Sequence, residues 1–293
     1  MSRSTPGCIC VNGRFSAPGE AVVSALDTGF LLGDGLFESL HASGGIPYLL
    51  DRHLHRLLAA AATVELTGLP PAAVLEQQVL ETLTRAALAD AYVRITVTRG
   101  LGGPGLLAGA GPPTVVVAVL PFSSRARANE PIAVALLERD VEARAVAAKS
   151  TSWQQAVLDR RLVARREADE GIYVAADGRV LEGVSSNVFA LVGERLLTPP
   201  MRDCLPGITR GRLLELAPHV GIAASETRIE LDELLGAEEV FVTNAVQGLR
   251  AVETIAGTEI GGRGGDSGVF AALRRSYEED RCAAVTPVAA PSG

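Results

Sequence analysis

The stretch PTVVVAVLPF, residues 113–122, packs four valines and a leucine into seven consecutive positions and carries no charge. β-Branched side chains lose rotamer freedom in a helix and pack well on a pleated surface, so the run reads as a strand, and a buried one. A buried strand needs neighbours for its backbone N–H and C=O groups, and the flanking sequence offers them. CICVNGRF reads as a hairpin turning at Asn12-Gly13, and LFESLHASGGIPYLL as a second one turning at Ser43-Gly44-Gly45. AYVRITVTRG alternates apolar and polar residues as a strand does. Two helices complete this half: DRHLHRLLAAAATVEL, with Asp51 placed to cap it, and PAAVLEQQVLETLTRAAL, entered through Pro70-Pro71.

The charged, small-residue segment SSRARANEP then breaks the pattern. We read residues 1–122 as an N-terminal domain, 123–130 as a linker, 131–283 as a C-terminal domain and 284–293 as a disordered tail. The second part offers a strand, IAVALLE, and a helix, QQAVLDRRLVARREAD. Strands follow in GIYVAADGRVLEG, SNVFALVGERLLTPP and AEEVFVTNAVQGLRAVETIAG, with a helix in GITRGRLLELAPHVG. Strands and helices in this order make the chain α+β.

Composition removes several functions. The net charge is -7 and aromatic residues make up 4%, with the arginines dispersed among acids, so a nucleic-acid footprint is not expected. No apolar stretch reaches the length of a membrane span, and the N-terminal residues lack the apolar core of a signal peptide. Cys8, Cys10, Cys204 and Cys282, with His41, His53, His55 and His219, show no metal-ligand spacing, so no metal site is expected. The chain reads as a reduced, cytoplasmic protein.

One residue stands out chemically. Of the 27 lysines and arginines, a single one is lysine, Lys149, in AAKSTSW. A guanidinium stays protonated and cannot form a Schiff base, whereas a desolvated lysine amine can. Elsewhere CLPGITRG places Ile208 and Thr209 in the first turn of a helix, where unpaired N–H groups suit a phosphate, although many helices simply start at a glycine. Glu182, among apolar residues in VLEGVSSNVF, is either a solvated strand edge or a carboxylate buried opposite a positive partner. Arg56 and Arg99 are placed to clamp a phosphate and a carboxylate respectively, or to lie on solvated faces. An amine, a phosphate cradle and a strand carboxylate together match what pyridoxal phosphate requires.

The order GDGLFESL, LLDRHLHRLLAAA, VTRG, AAKSTSW, LEGVSSNVF, TPPMRDCLPGITR, VFVTNAVQG resembles the fold-type IV pyridoxal-phosphate (PLP) enzymes, the class-IV aminotransferase family. That resemblance spans residues 10–282. It implies two domains, a smaller N-terminal α/β one and a larger, β-barrel-like C-terminal one, and a homodimer acting on a small amine. It implies that pyridoxal 5'-phosphate is held by Lys149 as a Schiff base, with Lys149 also moving the proton. Glu182 would face the pyridine nitrogen, Leu205 would pack on the ring, and Arg56 with the N–H groups of Ile208 and Thr209 would hold the phosphate. Asn244 and Ala245 would touch the cofactor, while Phe37, Arg99, Trp153 and Asn244 would face the substrate.

Within the family, the aromatic residue four positions after the lysine is similar to that of lyase-like and (R)-amine transaminase sequences, and the turn TNAVQG to that of 4-amino-4-deoxychorismate lyase. Phe37 and Leu101 stand where D-amino-acid aminotransferases carry a tyrosine and a histidine. The lyase, giving 4-aminobenzoate and pyruvate, is therefore the expected activity. An aminotransferase of branched-chain or D-amino acids or (R)-amines is the alternative.

Overall fold

The structure, a computed structural model, describes residues 5–102, 111–122, 130–140, 148–261 and 268–285. The elements of the first part are β1 (Cys8–Val11), β2 (Arg14–Ser16), α1 (Thr28–Leu32), β3 (Gly35–Ser43), β4 (Ile46–Pro47), α2 (Leu50–Thr63), α3 (Ala72–Ala86), β5 (Asp90–Thr98) and β6 (Thr114–Pro121). Their strands form one antiparallel sheet in the order β2-β1-β6-β5-β3-β4. The valine-rich run is β6, paired on both sides. Only one of its faces is fully buried, however. Val115, Val117 and Val119 are at most 3% exposed, whereas Val116, Ala118 and Leu120 are half-buried. The physical reason is that α2 and α3 cover a single face, as is usual for antiparallel sheets. There Leu54, Leu57, Leu75 and Val79 pack into one core with Val93, Ile95 and Val117.

Turn chemistry sets the hairpins. Asn12 and Gly13 both have positive φ (48° and 80°), the backbone that a tight two-residue hairpin needs. Asp51, by contrast, does not cap α2: Leu49 occupies that position with no side-chain bond, and Asp51 lies inside the first turn. It still faces the positive end of the helix dipole there.

The second part contains β7 (Ile132–Glu138), α4 (Gln154–Arg165), β8 (Glu170–Val174), β9 (Val180–Gly183), β10 (Asn187–Val192), β11 (Arg195–Thr198), α5 (Ile208–Leu216), β12 (Ala223–Glu226), α6 (Leu231–Leu235), β13 (Glu239–Asn244), β14 (Gly248–Ile255), β15 (Thr258–Glu259) and α7 (Val269–Val285). A curled, mixed sheet runs β12-β11-β10-β13-β14-β7-β8-β9, with β15 on β14. Helix α4 makes the crossover between the parallel strands β7 and β8. Phe189 stacks on Phe241 at 5.0 Å, and Phe270 of α7 adds a third ring at 5.5 Å.

Five elements, α1, β12, α6, β15 and α7, lie outside the sequence reading. Helix α7 buries only a narrow stripe, Phe270, Leu273 and Tyr277, and the charged residues and alanines between and after them mask its period. It continues through Val285, and the rest of the expected tail, like residues 123–129 of the expected linker, falls outside the described residues. So do residues 103–110 of the glycine-rich segment. Among the described residues no helix is long and apolar enough to cross a membrane, and no cluster of metal ligands occurs.

Leu57 of α2 is 1% exposed and belongs to the core that holds this helix on the sheet. Leu57→Ala leaves a cavity there and is expected to cost about 2–5 kcal/mol. Urea unfolding of the cofactor-free protein checks this.

Candidate active site

Lys149 is delivered by backbone pairing across the two halves of the chain. Residues 149–151 add to the edge of β3: Phe37 N–H donates to the Lys149 carbonyl and Thr151 N–H to the Gly35 carbonyl, both at 2.8 Å. Leu36 and Ser150 form the bridge between them. This approach explains the glycines of GDG. A Cβ on Gly33 would lie 2.6 Å from Ser152 Oγ and one on Gly35 3.1 Å from Thr151 Oγ1, while the hydroxyls of Thr151 and Ser152 donate to the Gly33 carbonyl at 2.7 and 3.1 Å.

The lysine side chain enters a cavity of about 810 Å³ between the sheets. Arg56, Glu182, Leu205, Ile208, Thr209, Asn244, Ala245, Phe37 and Trp153 line it as well, which brings every sequence-predicted site residue except Arg99 to one cavity. Desolvation first, and the nearby charge of Arg56 second, pull the Lys149 amine down to about 8. At neutral pH about one amine in ten is then unprotonated, against far fewer for an ordinary lysine. Phe37 and Trp153 meet edge to face at 5.0 Å, and the amine lies 4.7 Å from the first ring and 5.3 Å from the second.

Each further wall has its own anchor. Glu182, on β9, is 8% exposed, which settles its environment: a buried carboxylate opposite positive partners. One oxygen accepts from Leu205 N–H at 2.8 Å and the other from Arg139 at 3.2 Å, and Arg139 itself lies over Tyr173 at 3.8 Å. Helix α5 points its first turn into the cavity. Its N-cap, Gly207, offers no side chain to the exposed N–H groups, and a Cβ at that position would lie 1.9 Å from Asn187 Oδ1. Arg210, 2% exposed, ties the helix down through Thr198, the Pro199 carbonyl and Glu226. Arg56, on α2, spans the gap by donating to the Pro206 carbonyl at 2.7 Å. In the turn after β13, Asn244 Oδ1 accepts from the N–H groups of Val246 and Gln247, closing it. The hydroxyl of Thr243, also lining the cavity, is buried with no hydrogen-bond partner among the described residues.

Arg99 is a correction. It does not line the cavity; it bonds Asp34 at 2.8 Å and the carbonyls of Glu65 and Val64 at 2.7 and 3.0 Å, tying the end of β5 to the end of α2. The arginine that faces the cavity from β5 is Arg94, with Tyr92 beside it. Strand alternation is the signal that separates them. Ala91, Val93, Ile95 and Val97 turn to the core, so Tyr92, Arg94 and Thr96 point the other way. Arg94 lies over the Phe37 ring at 3.7 Å, donates to Thr96 at 3.2 Å, and has no carboxylate partner among the described residues. Leu101 is exposed and also outside the cavity.

The profile of the family described as amino-transferase class IV matches residues 35–255. The chain belongs to that family. It is similar to a putative branched-chain-amino-acid aminotransferase of Methanocaldococcus jannaschii, 33% identical over 259 residues, covering 87% of this chain and 88% of that one. It is also similar to the aminodeoxychorismate lyase of Bacillus subtilis, 29% identical over 287 residues, covering 93% and 94%. Among solved structures, a fold IV transaminase from Curtobacterium pusillum superposes with a TM-score of 0.82 at 26% identity, covering 94% of this chain and all of that one. The PLP-bound form of a hypothetical aminotransferase from Mycobacterium tuberculosis does so with 0.83 at 25%, covering 94% and 98%.

Pyridoxal 5'-phosphate is therefore the cofactor of this class-IV enzyme. The donor set fits it on chemical grounds. The cavity holds a desolvated amine, uncapped helical N–H groups beside an arginine, an orphaned Thr243 hydroxyl, and a carboxylate on a separate wall.

Lys149 carries the only ε-amine of the chain, so its titration can be read without interference from other lysines. In the cofactor-free protein its reaction with trinitrobenzenesulfonate is expected to speed up with rising pH through a midpoint of about 8. Because the charge of Arg94 helps lower that value, Arg94→Gln raises the midpoint. A wild-type midpoint at the ordinary 10.5 contradicts the desolvated site.

Proposed function

We propose that this class-IV enzyme is a lyase that converts 4-amino-4-deoxychorismate to 4-aminobenzoate and pyruvate. The observation that carries the reading is the aromatic corner of Phe37 and Trp153 beside the Lys149 amine, with the Arg94 guanidinium adjoining it. A flat six-membered ring bearing an amine and a carboxylate suits that corner. The ring packs against the aromatic edges, and the carboxylate meets a cation with no carboxylate of its own. The similarity to the Bacillus subtilis lyase over nearly the full length of both chains supports the same reading.

When bound, PLP supplies an electron sink for the carbon that carries the amine. Lys149 would hold the cofactor, and its free amine would take the proton from that carbon. Glu182 would support a protonated ring nitrogen, and Leu205 N–H and Arg139 keep its carboxylate oriented. Arg56 and the N–H groups of Ile208 and Thr209 hold the phosphate. Loss of that proton would let the enolpyruvyl C–O bond break and the ring become aromatic; the departing enolate would take up one proton to become pyruvate, with no amino acceptor consumed.

The similarity to the Methanocaldococcus aminotransferase favours a second reading, because the same lysine and carboxylate serve transamination. The two differ in what remains: a lyase ends each turnover with PLP, a transaminase half-reaction with pyridoxamine phosphate.

We further propose a homodimer, in the cytoplasm. Val22, Leu26, Phe30 and Leu31 are 78, 62, 75 and 51% exposed, an apolar surface around α1 that a second copy would cover. The exposed Trp153, Val157 and Leu158 of the α4 region lie next to it through the contacts of Thr151 and Ser152 with Gly33. Phe30→Asp is expected to yield monomer in sedimentation.

Given 4-amino-4-deoxychorismate and no keto acid, the holoenzyme is expected to release pyruvate and 4-aminobenzoate in equal amounts over many turnovers. Absent pyruvate, with pyridoxamine phosphate accumulating from an amino acid, would assign the transaminase instead. Lys149→Ala abolishes either reaction. Glu182→Gln slows it by weakening the support of the ring nitrogen.

A further inference from the structure

Two residues next to the cavity belong to neither of its walls, yet both are 1% exposed and ionisable: Glu38 of β3 and His53 of α2. A carboxylate and an imidazole buried this deeply are costly unless each is satisfied. They satisfy each other, with His53 Nδ1 and Glu38 Oε2 2.7 Å apart. Glu38 also receives both forks of Arg56, Nε at 2.8 Å on one oxygen and Nη2 at 2.6 Å on the other. Burial works against the charge on Glu38, but the bonds from His53 and Arg56 outweigh it and hold the carboxyl down at about 2. Burial in turn pushes the His53 ring below its ordinary value. Facing an acceptor-only carboxylate, it must carry its proton on Nδ1.

The donor count on Arg56 shows what this arrangement does. A guanidinium has five N–H groups. Glu38 takes two and the Pro206 carbonyl takes a third. All three acceptors are fixed by the fold, so the arginine is locked in one orientation, with one N–H left on each terminal nitrogen. Pro206 adjoins Gly207, the start of α5, so those nitrogens lie by the helix terminus. Glu38 is also the neighbour of Phe37, whose N–H registers Lys149. Consecutive residues of β3 thus set both the amine and the arginine.

We propose that Glu38 and His53 are positioning residues for cofactor phosphate recognition: His53 orients Glu38, and Glu38 presents the Arg56 fork to the phosphate. This rests on Arg56 holding the phosphate and is independent of whether a lyase or a transaminase reaction follows.

The test compares PLP with pyridoxal, which lacks the phosphate. Both are titrated into cofactor-free protein and followed by the absorbance of the Schiff base. Glu38→Gln keeps the side-chain shape but sets an amide N–H₂ against a guanidinium N–H. It is expected to weaken PLP by about tenfold or more, the worth of a hydrogen bond to a charged group, and to leave pyridoxal unchanged. His53→Leu should weaken PLP in the same selective way, and His53→Asn, which still offers Glu38 an N–H, should restore it. Arg56→Gln serves as the reference. If it weakens PLP selectively while the Glu38 and His53 variants do not, the positioning role is overturned. If Arg56→Gln itself leaves PLP binding unchanged, the assignment of Arg56 fails first. Equal weakening of PLP and pyridoxal by Glu38→Gln or His53→Leu would mean general damage to the fold and also overturns the proposal. Should Glu38→Gln not fold, the two His53 variants decide alone.

Discussion

The site depends on one short piece of backbone pairing. Residues 149–151 come from the second half of the chain but take up the free edge of β3 in the first. Two hydrogen bonds therefore bring the amine in the gap between two separately folded sheets. Strand pairing fixes register to a single residue, and a slip by one would turn the lysine to the opposite face. The glycines at 33 and 35 allow the approach because side chains there would meet the incoming segment or its neighbours.

Once the lysine is placed, the rest of the chemistry follows from electrostatics in a confined volume. An amine among arginines and out of water loses affinity for its proton, and no arginine could respond in that way. The two carboxylates that act on this amine are distributed to match. Glu182 sits on a wall of its own, held by a backbone N–H and Arg139, while Glu38 lies behind Arg56, outside the lining. That leaves Arg94 as a cation facing the aromatic corner without a carboxylate partner among the described residues.

Much of this was legible in the sequence for reasons that can be named. Lys149 stood out because its side-chain chemistry is unique in the chain, and CLPG because a glycine turn before a helix exposes N–H groups. Glu182 was ambiguous because burial cannot be read from one residue's neighbours. Arg99 was misread since a basic residue at a strand end resembles a ligand clamp, whereas Asp34, its actual partner, lies 65 residues away. Arg94 was within reach of the alternation in AYVRITVT. Glu38 and His53 carried no local sign of their role, because each is satisfied only by residues on another element or another turn. Helix α7 escaped because its buried stripe is narrow.

The sequence by itself determined the local elements, the one amine able to form a Schiff base and the order of motifs that resembles the family. These are set by side-chain type and short-range spacing, which the chain carries along its length. The tertiary structure alone decided which arginine faces the cavity, that Glu182 is buried rather than solvated, and that a carboxylate and an imidazole lock Arg56. Those outcomes depend on strand register and on contacts between residues far apart in the chain. Desolvation and hydrogen-bond partnership come into being only when the sheets and helices close around them.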